Sequence, residues 1–524
     1  MVGNYMAQQH NRVIGVIVAV LMAVISGLFI FNVMQSGYFP TNYLVILAGI
    51  IILLNILVDW LIISKGRIWK KVLASFLVLL VSFGFVAGTS ILGSIGKTVD
   101  EVAKPIDESD VYSVLVRTDD PLQKASEVQG MPVGAAEDAD FSVIIKLLPN
   151  NAGAKLQTYI SHPELVQALL NKSEQLIFFN EAFRPLVEEV IPDFQLKTRI
   201  LAVTDPSIIS LLTPPNTSGI TTETVPVMTN PSNPTSSNAS QVTTQIPAET
   251  LPPVEVSPPV RETVATFPAR SANGSDPFLL YISGTDSSGG INSRGRSDVN
   301  IVAAINPSTH QIALITIPRD SYVALAGIGY KDKLTHAGVL GINTSQKTVE
   351  NILGRGINAY AKVNFTTLVR LVDNLGGITV YNPTAFGPFA AGNIRLNGSQ
   401  ALAFSRERKS LSGGDLARGM NQTRVIQGII NEAVHPGNLA RVDSILATLS
   451  GSFRTSLSSS AIQTLVRGQL SSGGGWNIQS YGMTGSGRSG LPSYMMPGYR
   501  LSFIVLNQSS ISRARDLISS VVGY

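Results

Sequence analysis

The chain of 524 residues contains no cysteine. That absence excludes disulfides, zinc–thiolate centres and cysteine nucleophiles. Histidine is scarce, at five residues. Charge is sparse too: 14 % of residues are charged, the formal net charge is +4, and no long Lys/Arg run occurs. A nucleic-acid partner is therefore disfavoured. Two catalytic signatures are also missing. Leu411-Ser-Gly-Gly414 looks like the signature loop of ABC-type ATPases, but no Gly-x-x-x-x-Gly-Lys-Ser/Thr loop accompanies it, which discards an ATPase. No Gly-x-Ser-x-Gly elbow exists, which weakens a serine hydrolase.

What is abundant is apolar sequence, 44 % of the chain, concentrated in the first hundred residues. Three runs, Val13–Met34, Tyr43–Ser64 and Val72–Ile95, are each long enough to cross ~30 Å of hydrocarbon as a helix. Ser36-Gly-Tyr-Phe-Pro40 offers no small-residue cleavage site, so the first run is not a removable signal peptide. The loop Lys65-Gly-Arg67-Ile-Trp-Lys70-Lys71 is basic and Ser36–Asn42 carries no charge. Positive loops stay in the cytoplasm, which predicts a cytoplasmic tail over 1–12 and everything after Ile95 outside. The missing cysteines agree with an outside location in a bacterium whose envelope has no disulfide-forming compartment. Phosphoryl chemistry placed there has no ATP, so a substrate must bring its own activated bond.

An α/β (α+β) organisation is expected beyond the anchor. Residues 96–204 read as a small accessory unit with a strand at Val111–Val116 and helices at Phe141–Leu148, Pro163–Leu170 and Phe183–Ile191. No catalytic constellation is visible there. His162 precedes a proline and reads as a helix start, and Asp119-Asp120 as a solvated turn. Residues 205–275 are rich in Pro, Thr, Ser and Asn, too polar to offset the entropy of ordering, and read as a disordered or extended stalk. Its role is either reach away from the membrane or none. Residues 276–524 alternate strands and helices, which predicts a central sheet flanked by helices. Expected strands include Phe278–Ser283, Asp298–Ile305, Gln311–Ile317, Ile378–Tyr381, Ala401–Arg408 and Leu501–Leu506. A long helix is expected from Asp415 to about Val434.

Arginines and aspartates gather at the ends of these apolar elements: Asp286, Arg296-Ser-Asp298, Arg319-Asp320, Arg406-Glu-Arg408 and Asp415-Leu-Ala-Arg418. Guanidinium forks match phosphate oxygens in pairs, and carboxylates supply the hard oxygens magnesium prefers. Side chains alternate faces along a strand, so Leu402, Phe404, Arg406 and Arg408 would share one face, as would Ile315, Ile317 and Arg319. Both faces grade from apolar to cationic, which suits a ligand with an apolar tail and an anionic head. For one strand alone, a charged end meeting water explains as much; two such strands plus Arg296 and Arg418 favour a site. Asp415, Arg418 and Gln422 share a helix face near its N-terminus, where free N–H groups favour phosphate. The plain alternative makes Asp415 an N-cap and Arg418 a solvated charge.

The ordered set Asp286, Arg296-Ser-Asp298, Ile317-Pro-Arg319-Asp320, Lys333-Leu-Thr-His336-Ala337, Val363-Asn-Phe365, Val372-Asp-x-Leu-Gly-Gly377, Arg406-x-Arg408 and Gly414-Asp415-x-Ala-Arg418-Gly-x-Asn-Gln422 resembles the LytR-CpsA-Psr family. It looks most like the CpsA-type capsule proteins of Gram-positive bacteria, from about Asp276 to the C-terminus. Asn421 stands where some members carry a second arginine. The resemblance implies a membrane-bound extracytoplasmic glycopolymer transferase. Its donor would be a polyprenyl-pyrophosphate-linked polysaccharide or teichoic-acid-like polymer, and its acceptor peptidoglycan, through the C6 hydroxyl of N-acetylmuramic acid. On that reading Asp286 and Asp298 hold Mg2+ (or Mn2+). Arg296, Arg319, Lys333, Arg406, Arg408, Arg418 and Gln422 bind the pyrophosphate, with Asp415 in support. The Phe365–Leu375 helix and the apolar strand faces would line a lipid channel. Two rivals stay open: a lipid-carrier pyrophosphatase, and a non-catalytic regulator contacting capsule or export machinery.

Overall fold

The computed structural model describes residues 2–63, 68–151, 155–205, 261–268, 270–285, 290–411, 413–439, 445, 449 and 451–523. Three long helices open it: α1 (Val2–Gln35), α2 (Thr41–Ile63) and α3 (Ile68–Val102). Their segments Val16–Gln35, Thr41–Ile62 and Val72–Val102 are apolar and long enough to cross a membrane. Met22, Val58 and Val81 pack at their common seam, Phe29 stacks on Phe85 with centroids 4.5 Å apart, and Asn55 Nδ2 donates to Ser26 Oγ at 3.0 Å. The third helix continues past Ile95, its expected end, because Ile95 and Val99 pack with Tyr38 against a soluble helix described below.

The accessory unit is a five-stranded sheet in the order β3-β2-β4-β1-β5, from β1 (Tyr112–Arg117), β2 (Val133–Ala136), β3 (Leu156–Tyr159), β4 (Leu176–Asn180) and β5 (Thr198–Val203). Its helices are α4 (Phe141–Leu147), α5 (His162–Leu170) and α6 (Arg184–Val190). His162 begins α5 as expected: Ser161 caps the helix by accepting from Glu164 N, and Pro163 sits where its missing N–H costs nothing. Asp120 is not solvated; it is buried beside Arg117, and its Oδ1 accepts from Leu122 N.

The large unit is a six-stranded mixed sheet in the order β14-β11-β6-β7-β8-β15. It is built from β6 (Phe278–Thr285), β7 (Ser297–Asn306), β8 (Gln311–Thr316), β11 (Ala359–Asn364), β14 (Phe453–Thr455) and β15 (Asn477–Gly482). Short pairs β9 (Tyr322–Ala324) with β10 (Lys331–Lys333), β12 (Ile378–Asn382) with β13 (Gly392–Leu396), and β16 (Gly485–Leu491) with β17 (Leu501–Leu506) surround it. Helices α7 (Ile342–Leu353), α8 (Phe365–Asn374), α9 (Gly398–Arg406), α10 (Gly414–Ala433), α11 (Ser459–Ser472) and α12 (Gln508–Val522) complete the layers. Alternation along β7 and β8 sends Val302, Ala304, Ala313 and Ile315 toward α7 and α12. Ile301, Ala303, Ile312 and Leu314 go to the other face, with Ile426 and Ile430 of α10. Both faces are covered, which is why these strands read as unbroken apolar runs.

One expected strand is a helix. Ala401–Arg408 was expected to be extended, but Gly398–Arg406 is α9. Asn397 accepts from Gln400 N while Gln400 Oε1 accepts from Asn397 N, a capping box that starts a helix. Ala401 and Phe404, three apart, are buried, and Gly398 lets α9 approach α8: a Cβ there would stand 2.2 Å from Val369 O. The apolar-to-cationic strand face survives only along β8, where Ile315 and Ile317 are buried and Arg319 follows.

Of the expected stalk, residues 206–260 lie outside the described residues. Residues 261–268 and 270–275 run against the large unit without helix or strand; Glu262 N donates to Gly329 O at 2.7 Å and Glu262 pairs with Lys331 at 2.7 Å. The large unit also sits directly on the anchor. Ile462 and Val466 of α11 pack with Tyr38, Ile95 and Val99, Ser459 Oγ donates to Asp100 Oδ1 at 2.6 Å, and Arg454 pairs with Glu101 at 3.1 Å.

Candidate functional site

The sheet brings chemistry to one edge. Strands β6, β8, β11 and β15 end there and β7 begins there: Thr285 pairs with Ser297 and Asn364, and Gly482 with Thr316. Just inside β7 stands Asp298, and Pro318-Arg319-Asp320 follow β8. Helix α8 starts from the cap Asn364, which puts Phe365 at the same edge. Helix α10 crosses over β8 at Gly419, where a Cβ would lie 2.7 Å from Thr316 Cγ2. Its first turn therefore faces the ends of the strands.

Asp298 is the anchor of the cluster. Its Oδ1 accepts from Arg319 Nη1 at 2.9 Å and from Thr335 Oγ1 at 3.1 Å; its Oδ2 lies 3.5 Å from Arg296 Nη2. Burial pushes the Asp298 carboxyl up, but Arg296 and Arg319 outweigh it and hold the carboxyl below its usual range. Arg319 is desolvated, yet Asp298, Asp320 and Asp415 together push its pKa up. Asp415 does not cap α10: Gly413 is the cap residue, and Asp415, in the first turn, pairs with Arg418 and stands 3.8 Å from Arg319 Nε. Burial, aided by Asp320, outweighs Arg418, Arg319 and Arg408 and raises the Asp415 carboxyl. Among the described residues, the buried Nε–H groups of Arg296, Arg319 and Arg418 have no hydrogen-bond acceptor, an expensive state unless an anion completes them.

Two cavities open from this cluster. One, of about 400 Å³, is lined by Arg296, Asp298, Arg319, Phe365, Arg406, Glu407, Arg408, Lys409, Arg418 and Gln422. Arg406 lies over the Phe365 ring, 4.9 Å from its centroid. The other, of about 280 Å³, has apolar walls from Ile317, Pro318, Leu416, Met420 and Met483. Asp298, Arg319, Arg418 and Gln422 line both. The Phe365–Leu375 segment, expected along a lipid channel, contributes only Phe365, and to the cationic cavity.

The structure thus gathers Arg296, Asp298, Arg319, Arg406, Arg408, Asp415, Arg418 and Gln422. Lys333 is different: its ammonium sits between Glu189 Oε1 at 2.5 Å and Asp320 Oδ1 at 3.4 Å, and it lines neither cavity. Asp286 lies outside the described residues. Asn421 turns inward, its Oδ1 accepting from Arg424 at 2.7 Å. His336, in the 3-10 turn Leu334–Leu340, is fully buried with Nδ1 2.8 Å from Asp332 Oδ1. Thr335 was within reach of sequence reasoning, two residues past Lys333. Glu189 was not, because nothing near it in sequence points to Lys333.

An arginine–carboxylate cluster at a sheet edge, with an apolar cavity behind it, defines an α/β protein suited to an anionic head on an apolar body. The chain belongs to the LytR_cpsA_psr family, matched over residues 236–505. The polyisoprenyl-teichoic acid–peptidoglycan teichoic acid transferase TagU of Bacillus cereus is 38 % identical over 188 residues, 35 % of this chain and 61 % of that protein. TagU of Enterococcus faecalis is 38 % identical over 192 residues, 36 % of this chain and 63 % of that one. The chain therefore spans about three fifths of the curated relatives it matches. The crystal structure of B. subtilis TagU aligns with 28 % identity and a TM-score of 0.38, covering 47 % of this chain and 97 % of that one.

Proposed function

We propose that the protein is an extracytoplasmic phosphotransferase. It moves a glycopolymer from a polyprenyl-pyrophosphate carrier to peptidoglycan. One observation carries the reading: the cationic and apolar cavities share a wall of Asp298, Arg319, Arg418 and Gln422. A pyrophosphate against that wall would place its charge among guanidinium groups and leave an apolar chain beside Ile317, Met420 and Met483. The names of the relatives and the basic loop between the second and third spans support the same assignment.

In this proposal the acceptor hydroxyl oxygen forms a bond to the phosphorus that carries the sugar. The bond from that phosphorus to the bridging oxygen breaks, polyprenyl phosphate leaves, and the product is a phosphodiester. Arg296, Arg319, Arg406, Arg408 and Arg418 hold the pyrophosphate and the charge that develops on the leaving oxygen, and Gln422 donates a further hydrogen bond. Asp415, made more basic by burial, would take the hydroxyl proton. Asp298 offers an ionised hard-oxygen donor that fits a magnesium or manganese ion; the family resemblance implies Asp286, outside the described residues, as a second donor. When bound, such an ion would neutralise charge on pyrophosphate oxygens.

Full-length protein in lipid nanodiscs, given a polyprenyl-pyrophosphoryl glycan, magnesium and peptidoglycan strands, is expected to release polyprenyl phosphate and form a glycan–muramic acid phosphodiester. Release of glycan phosphate alone would make it a hydrolase. Inert protein would point to a regulator.

A further inference from the structure

We infer that the accessory unit lends the site a positioning residue, Glu189 of α6, which fixes the Lys333 ammonium and through it Asp320. The inference rests on the proposed transfer for its kinetic readout only. Glu189 lies outside residues 236–505 matched by the family, so it is contributed by this chain's own accessory unit.

The geometry is a chain of alternating charge across two units. Glu189 Oε1 meets Lys333 Nζ at 2.5 Å, Lys333 Nζ stands 3.4 Å from Asp320 Oδ1, Asp320 Oδ2 is 3.8 Å from Arg319 Nε, and Arg319 binds Asp298 at 2.9 Å. The neighbouring Glu188 carboxyl is raised, mainly by burial and also by Glu181, against the pull of Arg184 and, from the large unit, Arg296. Helix α6 cannot drift from this position, because Leu186 and Val187 share one core with Leu325, Ala337, Val339 and Phe503 of the large unit. Ala337 and Val339 belong to the turn of 3-10 helix that follows Lys333 directly.

The Lys333 side chain is 5 % exposed, and a buried ammonium needs close carboxylate partners. With Glu189 present, Asp320 bears only part of that duty and keeps its second oxygen toward Arg319. Without Glu189, Asp320 becomes the sole carboxylate partner of Lys333 among the described residues and is drawn from Arg319, which loosens the guanidinium that braces Asp298. Glu189 itself is 35 % exposed at the rim, so its replacement leaves the shared core intact.

The test uses the full chain in nanodiscs with a polyprenyl-pyrophosphoryl N-acetylglucosamine donor and peptidoglycan strands. For Glu189→Gln the expected result is a kcat about tenfold lower, a donor KM changed by less than about threefold, and a melting temperature only modestly lower, because Asp320 still pairs with Lys333 at 3.4 Å. Glu189→Asp should restore most of the rate. Amide hydrogen exchange over Arg319–Lys333 should quicken in Glu189→Gln, a readout that needs no turnover. Faster exchange in a protein whose wild type transfers nothing would sink the proposed function and keep Glu189 as a brace. An unchanged kcat with unchanged exchange, or a kcat that falls only in step with the melting temperature, overturns the inference.

Discussion

Two arginines of the cluster differ in what they hold, and so in what their loss should do. Arg408 is exposed in the cationic cavity, while Arg319 is tied into the buried Asp298 pair. Arg408→Ala is expected to lower transfer by about 100-fold or more, as loss of a charge-stabilising donor does, with the melting temperature unchanged. Arg319→Ala strands a buried carboxylate, so it should also cost about 3–5 kcal/mol of stability. Denaturant melts beside transfer assays separate the two; normal transfer in Arg408→Ala would remove it from the clamp. His336 is expected to behave in the opposite way. It is fully buried with Asp332, which also accepts from Ser493 Oγ at 2.9 Å and Met495 N at 2.7 Å. His336→Ala should destabilise by about 2–4 kcal/mol through a cavity and the loss of one of the Asp332 hydrogen bonds, yet retain transfer per folded molecule. A stable but inactive variant would give His336 a chemical role. At this scale the clamp was legible, because Arg296, Asp298 and Arg319 hang from strand ends that apolar runs announce. The Glu189–Lys333 pair was not: its partners are 144 positions apart, and an ion pair leaves no periodicity.

Elements were legible where only one period fitted. The β7 and β8 runs and the α10 face match expectation within a residue or two. Leu402-Ala-Phe-Ser-Arg-Glu-Arg408 fits a two-residue alternation and a helical spacing equally; the capping box at Asn397 and Gln400 decides for α9. Helix α5 carries a pH-dependent consequence. His162 stacks on Phe183 with centroids 3.6 Å apart, and burial lowers its pKa to about 3. Asp138 lies 3.7 Å away but is half exposed, and it does not offset that burial. The folded state keeps this imidazole neutral, while the unfolded chain takes up a proton near pH 6.5. Stability is therefore unaffected by this group above that pH and falls as pH drops, by up to about 1.4 kcal/mol per pH unit, until the folded pKa is reached. Between pH 7 and pH 4 the urea midpoint of wild type should fall relative to that of His162→Phe, which has no imidazole to protonate on unfolding. Parallel curves would show that His162 is protonated in the fold.

For the molecule as a whole, the question is where the large unit stands relative to the anchor. Composition of residues 205–275 left open a stalk that holds it away. The described contacts instead seat it: α11 lies against the ends of the spans through Tyr38, Ile95, Val99, Ile462 and Val466, with Asp100–Ser459 and Glu101–Arg454 at the rim. Residues just past α3 strengthen the seat, since Glu108 pairs with buried Lys362 at 2.7 Å and Asp110 with Arg294 at 2.9 Å. None of this was readable locally, because each pair joins sequence segments far apart. A seated unit keeps the site at a fixed height, which suits the proposed donor, whose lipid would stay in the bilayer. The absence of cysteine makes the idea directly testable. Asp100→Cys with Ser459→Cys replaces two side chains whose polar atoms are 2.6 Å apart. A short thiol crosslinker should join them within one chain in native membranes, and the joined protein should transfer glycan at the rate of its uncrosslinked form. Failure to join, with both thiols reactive to maleimide, would return the unit to a stalk. Joining that abolishes transfer would mean that the working state lifts the unit off its seat.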